Sequence, residues 1–192
     1  MIKRILMTIP IGLVLGGAAA LALAFGPTEL GGIRAGNWYT NQHIGSVDAT
    51  PLIRAVIARR GLMALRQTET IYFSSDHDSE GRAFDEACTY RLTVDSAPQA
   101  RWWSVTLYAE DEFLAVNGEE AHSLTADDTT GFPVEAIISQ GQTRSPAHRI
   151  SSEAAGAFNL TLRLYQPDAA LVEDATLANL PTVERISCRS ET

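Results

Sequence analysis

Lysine is almost missing from this chain: of 15 basic residues Lys3 is the one lysine, and the others are arginines. Cysteine is nearly as scarce. Cys88 and Cys188 stand alone, without a CxxC pair or a partner at metal-ligand spacing, which excludes zinc-ribbon and thioredoxin-type chemistry. His43, His77, His122 and His148 form no HxH or HExxH pairing that would put two imidazoles on one metal. No GxSxG elbow presents a serine nucleophile. Positive charge is short as well. After residue 25 the chain carries 13 arginines against 23 acids. A net charge of about −10 repels phosphate backbones and anionic head groups, so nucleic-acid partners are excluded. Long apolar runs are absent everywhere except at the start.

That start fixes an expected address. Lys3 and Arg4 precede an uncharged, mostly apolar run from Ile5 to Phe25. About 21 residues suffice to cross a hydrocarbon core about 30 Å thick as a helix. With the positive pair on the short side, the N-terminus stays in the cytoplasm and everything from Gly26 onward is exported. The expectation is a single-pass inner-membrane protein with a periplasmic C-terminal domain. A cleaved secretory signal is the alternative, with Ala22-Leu23-Ala24 as its small-residue site. The predicted organisation is a signal-anchor over 1–25, a Gly/Pro-rich linker over 26–36 and one domain over 37–190. In an oxidising compartment a Cys88–Cys188 bridge is the simple reading, closing a loop of about 100 residues. Two buried thiols are the alternative.

Within the domain the hydrophobic period changes once. Thr50 is an N-cap ahead of a first-turn Pro51, and Leu52, Ile53, Val56, Ile57, Met63 and Ala64 fall on one helical face, predicting a helix over 51–66. Beyond it the period is 2, predicting strands over 70–74, 89–94, 101–108, 113–116, 134–139, 158–165 and 182–188. No further amphipathic helices are available for parallel crossovers. The expected fold is therefore mainly β, an antiparallel sandwich or jelly roll with one N-terminal amphipathic helix.

Two strands share a layout. From Arg101 to Tyr108, alternation puts Trp103, Val105 and Leu107 on one face and Trp102, Ser104, Thr106 and Tyr108 on the other. From Phe158 to Tyr165, Phe158, Leu160, Leu162 and Leu164 make the core face, while Asn159, Thr161, Arg163 and Tyr165 point away. These segments, with Leu162-Arg163-Leu164-Tyr165-Gln166-Pro167, Arg54-Ala55, Ala58-Arg59, Gly61-Leu62 and Glu69-Thr70-Ile71-Tyr72-Phe73, resemble the bacterial family called domain of unknown function 1214. The likeness runs from about Gly36 to Cys188. It implies a jelly-roll β-sandwich, often behind a membrane anchor, and no established activity. Larger relatives carry a second domain upstream. Where that family commonly has Asn-Trp-Leu-Pro, this chain reads Thr143-Arg144-Ser145-Pro146-Ala147-His148, so no site built on that tryptophan carries over.

Among candidate sites, Asp76, Asp78, Glu80 and Gly81 open like a calcium loop, but Ala87 occupies the twelfth position and strands flank it, so an exposed hairpin turn is expected. Glu110, Asp111, Glu112, Glu119 and Glu120 offer carboxylates for glycosidase chemistry, which a charged loop also supplies by chance. No cofactor and no metal are expected. The polar-aromatic face is the better candidate: Trp102, Thr106, Tyr108, Thr161, Arg163 and Tyr165, bordered by Glu69 and Tyr72, make a platform where rings stack and Arg163 fixes an anion or hydroxyl. The competing structural reading has the helix from Pro51 packed over this face, with Arg163 paired to Glu69. The expected function is a binding or envelope-structural module. The alternative is an enzyme acting on a small carbohydrate or lipid-like substrate at Arg163, Tyr165 and Tyr108. A third reading, a subunit of an envelope complex, calls for an exposed apolar patch around Trp38 and Tyr39.

Overall fold

The computed structural model describes residues 2–25, 32–141 and 148–189. Among the described residues ten strands form two sheets. The larger contains β1 (Ile33–Ala35), β2 (Trp38–Thr40), β3 (Thr70–Ser75), β5 (Ala100–Tyr108), β6 (Ser123–Thr125) and β9 (Asn159–Pro167), in the order β1-β2-β3-β9-β5-β6. The smaller contains β4 (Cys88–Val94), β7 (Val134–Ser139), β8 (His148–Ser151) and β10 (Thr182–Cys188), in the order β10-β4-β7-β8. Pairing is antiparallel except where β8 runs parallel to β7. Helices are few: α1 (Ile2–Phe25), α2 (Pro51–Arg59) and the short α3 (Ala169–Glu173). The fold is mainly β.

Period-2 patterning builds one core. Trp103, Val105, Leu107, Leu160, Leu162 and Leu164 come from the larger sheet and Tyr90, Leu92, Ala136, Ile138 and Val183 from the smaller, all in a single buried cluster. Each large apolar side chain removed from water contributes about 1.5–3 kcal/mol, so these strands are fixed by their inward faces. Phe84 stacks on Phe158 with centroids 5.0 Å apart, and the edge of Tyr90 meets both rings. Cys88 and Cys188 lie opposite each other in the β4–β10 register and form the expected disulfide.

Element boundaries and exposures differ from the expectation in several places. The helix predicted over 51–66 stops at Arg59. Thr50 does cap it, its hydroxyl accepting from the Ile53 amide at 3.3 Å. Gly61 then takes φ +59°, the left-handed conformation that ends helices, so the glycine read as a weak point inside the helix is its terminator. The strand predicted over 113–116 is a loop, because only Ala115 of that stretch is buried. β1, β2, β6 and β8 are too short to show a period, and β1 begins at Ile33, inside the expected linker. Trp38 and Tyr39 are buried, the indole donating to the Pro181 carbonyl at 2.7 Å, so they present no apolar patch. Among the described residues no helix is long and apolar enough to cross a membrane. The segment from Thr143 to Ala147 lies outside the described residues.

Candidate functional site

β9 lies between β3 and β5, and its register brings the polar positions of all three strands onto one face. Arg163 sits between Tyr72 and Ser104, Thr161 between Ser74 and Thr106, and Tyr165 between Thr70 and Trp102. The small Ser104 leaves room for the guanidinium to lie along the sheet. Arg163 donates to the Tyr108 hydroxyl at 2.6 Å, and its guanidinium carbon is 5.3 Å from the Tyr108 ring centre and 5.9 Å from that of Tyr72. Among the described residues it has no carboxylate within ion-pair distance. The pairing with Glu69 that the structural reading required is not made.

Neighbouring groups on this face are arranged just as specifically. Trp102 meets Tyr165 edge-on at 5.3 Å and donates its indole N–H to Asp127 at 3.0 Å. Thr106 and Ser123 share a 2.9 Å hydroxyl contact. Burial pushes the Tyr165 phenol above its ordinary value, opposed by the Arg163 charge. The buried Thr70 hydroxyl has no hydrogen-bond partner among the described residues, a state that costs about 1–3 kcal/mol. Thus Trp102, Thr106, Tyr108, Arg163 and Tyr165 do share one face, with Glu69, Trp102 and Tyr165 lining an open depression.

α2 lies at the β2–β3 end of the sheet, its Ile53, Val56 and Ile57 lining one pocket with Tyr39 and Ser74. Arg60, the residue that follows it, donates to the Tyr39 hydroxyl at 2.5 Å and stands 3.6 Å from Glu112. The other Glu112 oxygen accepts from Asn159 at 2.9 Å. Glu112 is held at φ +67°, a conformation that costs a residue other than glycine about 1–2 kcal/mol. The Tyr39–Arg60–Glu112–Asn159 chain escaped the sequence reading because its members are far apart in sequence and Glu112 sat in a run of acids.

The family model for protein of unknown function DUF1214 matches residues 69–169, the stretch that carries β3, β5, β9 and this face. The chain belongs to the DUF1214 family. No curated protein matches it. The VPA0106 protein of Vibrio parahaemolyticus is similar in structure, with a TM-score of 0.56 and 22% identity over 73% of this chain and 36% of that one. An uncharacterized protein from Burkholderia cenocepacia shows 12% identity over 62% of this chain and 30% of its own, with a TM-score of 0.43. The DUF1214 chain therefore spans about a third of the length of these solved structures, and the first of them supports the fold alone.

Elsewhere in the DUF1214 domain, the acidic loop resembling a calcium site is the expected turn, exposed from Ser79 to Ala83, with one carboxylate sunk beneath it. Asp78 is completely buried; Arg82 and Arg185 reach one of its oxygens at 2.9 and 3.0 Å, and the amides of Glu80 and Arg82 donate to the other at 3.0 Å. Burial pushes its carboxyl up, and the hydrogen bonds from Arg82 and Glu80 outweigh this and hold it below the ordinary value. Two guanidinium groups occupy the place a cation would take. Glu112 and Glu119 are committed to Arg60 and Arg149. Among the described residues no three His, Cys, Asp or Glu side chains cluster as a metal site.

Proposed function

We propose that this domain is a ligand-binding module of the cell envelope and that its site is the polar-aromatic face of the larger sheet. One observation carries the reading: Arg163 is half-buried between two tyrosine rings with no carboxylate partner among the described residues. A guanidinium offers five donors in a fixed fork, and the Tyr108 hydroxyl accepts from one nitrogen. Removing a cation from water without a counter-charge is costly, so an anionic or hydroxyl-rich ligand gains from meeting it there. Trp102 and Tyr165 supply a ring edge and a ring face beside it.

The fold and address belong to the same proposal. Jelly-roll connectivity is supported because every connection from β3 to β10 crosses between sheets, apart from β5 to β6 and β7 to β8. An inner-membrane anchor over residues 5–25, with the domain in the periplasm, is supported by the Lys3-Arg4 pair ahead of the uncharged run and by a disulfide of the kind that persists in oxidising compartments.

Native mass spectrometry of the full chain, released gently from purified membranes, tests the site. A retained mass that disappears in Arg163→Ala supports it. Unliganded protein, or a mass that Arg163→Ala keeps, removes it. Alkaline extraction with N-terminal sequencing tests the address: a start at Phe25 replaces the anchor with a cleaved signal.

A further inference from the structure

Arg163 lies between two tyrosines, and each leads to a loop with exposed apolar side chains. The Tyr72 hydroxyl donates to the Met63 carbonyl and accepts from the Leu65 amide, fixing the 61–66 loop against the sheet. Gly45, at φ +73°, lets the backbone of that loop approach from the other side, where any Cβ would collide with the Leu65 carbonyl. Beyond Tyr108 the chain turns at once: Ala109 donates to the Phe113 carbonyl at 2.8 Å, and the buried Ala115 pins the next residues. The two loops are tied together by the Arg60–Glu112 pair.

Their tips are nevertheless greasy. Met63 is 92% exposed, Phe113 73% and Val116 86%, with Leu65 and Leu114 also exposed. The hydrogen bonds and Ala115 prevent these loops from folding their apolar side chains back into the core. Apolar side chains held outward on two loops that meet the same sheet face offer surface that a ligand can cover. Linked through Tyr72 and Tyr108 to an uncompensated guanidinium, they suit the two ends of an amphiphilic ligand.

We infer that the face around Arg163 binds a single-chain amphiphile with an anionic head, the head on Arg163 and Tyr108 and the acyl chain against Met63, Leu65, Phe113, Leu114 and Val116. This inference rests on the site reading given above and adds the ligand class. Both a carboxylate and a phosphate match the guanidinium fork, so a free fatty acid and a lysophospholipid with a phosphate head share the required chemistry.

Isothermal titration of the full chain, in a constant background of dodecyl maltoside, tests it with laurate, lysophosphatidate, acetate and dodecyltrimethylammonium. Comparing variants in the same background cancels partitioning into micelles. Laurate or lysophosphatidate is expected to bind, and whichever binds more tightly identifies the source of the anionic head. Arg163→Gln is expected to weaken binding by about tenfold or more, consistent with loss of a charge-assisted hydrogen bond. Met63→Asp with Phe113→Asp, both at exposed positions that leave folding intact, are expected to weaken it similarly. Acetate that binds as well as laurate, with the rim variants inert, overturns the amphiphile while leaving the Arg163 site standing. Equal binding of the cationic amphiphile also overturns it. No binding of any anion, or anion binding unchanged in Arg163→Gln, removes both the amphiphile and the site.

Discussion

Two arginine environments in this molecule use the same side chain in opposite ways. At the turn after β3, Arg82 and Arg185 enclose the buried Asp78, so every charge there has an opposite charge within 3.0 Å. On the larger sheet Arg163 is held by tyrosine rings and a phenol, with no carboxylate among the described residues. The first arrangement is electrically closed and serves to hold a loop. The second is open, and its charge is left for something else.

Asp78→Ala is the strongest way to test that contrast. It leaves two guanidinium groups facing an empty position. Removing one partner of a buried pair costs about 3–5 kcal/mol, and the half-exposed Arg82 brings the expected loss to the lower end, about 3 kcal/mol in denaturant unfolding. Little or no change would mean that the turn is not held by charge. Arg163→Gln is expected to lose less, about 1 kcal/mol for one hydrogen bond and some ring packing, while keeping a cooperative transition. A loss as large as that of Asp78→Ala would make Arg163 structural and erase the difference between the two sites.

Acid sharpens the comparison next. The folded-state pKa of Asp78 lies below its ordinary 3.8, so its contribution to stability is fully present above that value and is lost as pH falls through the lower folded value. Asp78→Asn is therefore expected to flatten the fall in stability below about pH 4. Arg163→Gln leaves that slope unchanged. The smallest effect lies at the alkaline end. Tyr165 is raised above its ordinary 10.0 by burial, so its contribution is present below pH 10.0 and is lost as pH rises through the folded value. Absorbance titration of Tyr165→Phe is expected to lose part of the late-ionising absorbance; a late component of unchanged size would belong wholly to other phenols such as Tyr90, which burial also raises.

The face of Arg163 was legible beforehand because alternation is a local property. Once β5 and β9 are strands, Trp103 and Leu162 inside place Trp102 and Arg163 outside. The helix from Pro51 was legible only at its start: a cap and a first-turn proline act within a few residues, whereas whether Gly61 continues or stops the helix depends on what the following loop packs against. The burial of Asp78 beneath the exposed calcium-like turn was hidden for the same reason. Arg185 lies more than a hundred residues from Asp78, and no spacing rule connects them.

Side-chain identity and near-neighbour spacing were enough to place the inward and outward faces of the long strands, to make a disulfide the simple reading of two lone cysteines, and to point to the family. Which strands lie side by side, that α2 lies at the β2–β3 end of the larger sheet, that Arg60 joins Glu112, and that Asp78 is closed while Arg163 is open emerge only in the folded molecule. Those outcomes depend on contacts between residues remote in sequence. Such contacts form only when the two sheets have buried their apolar faces in one core.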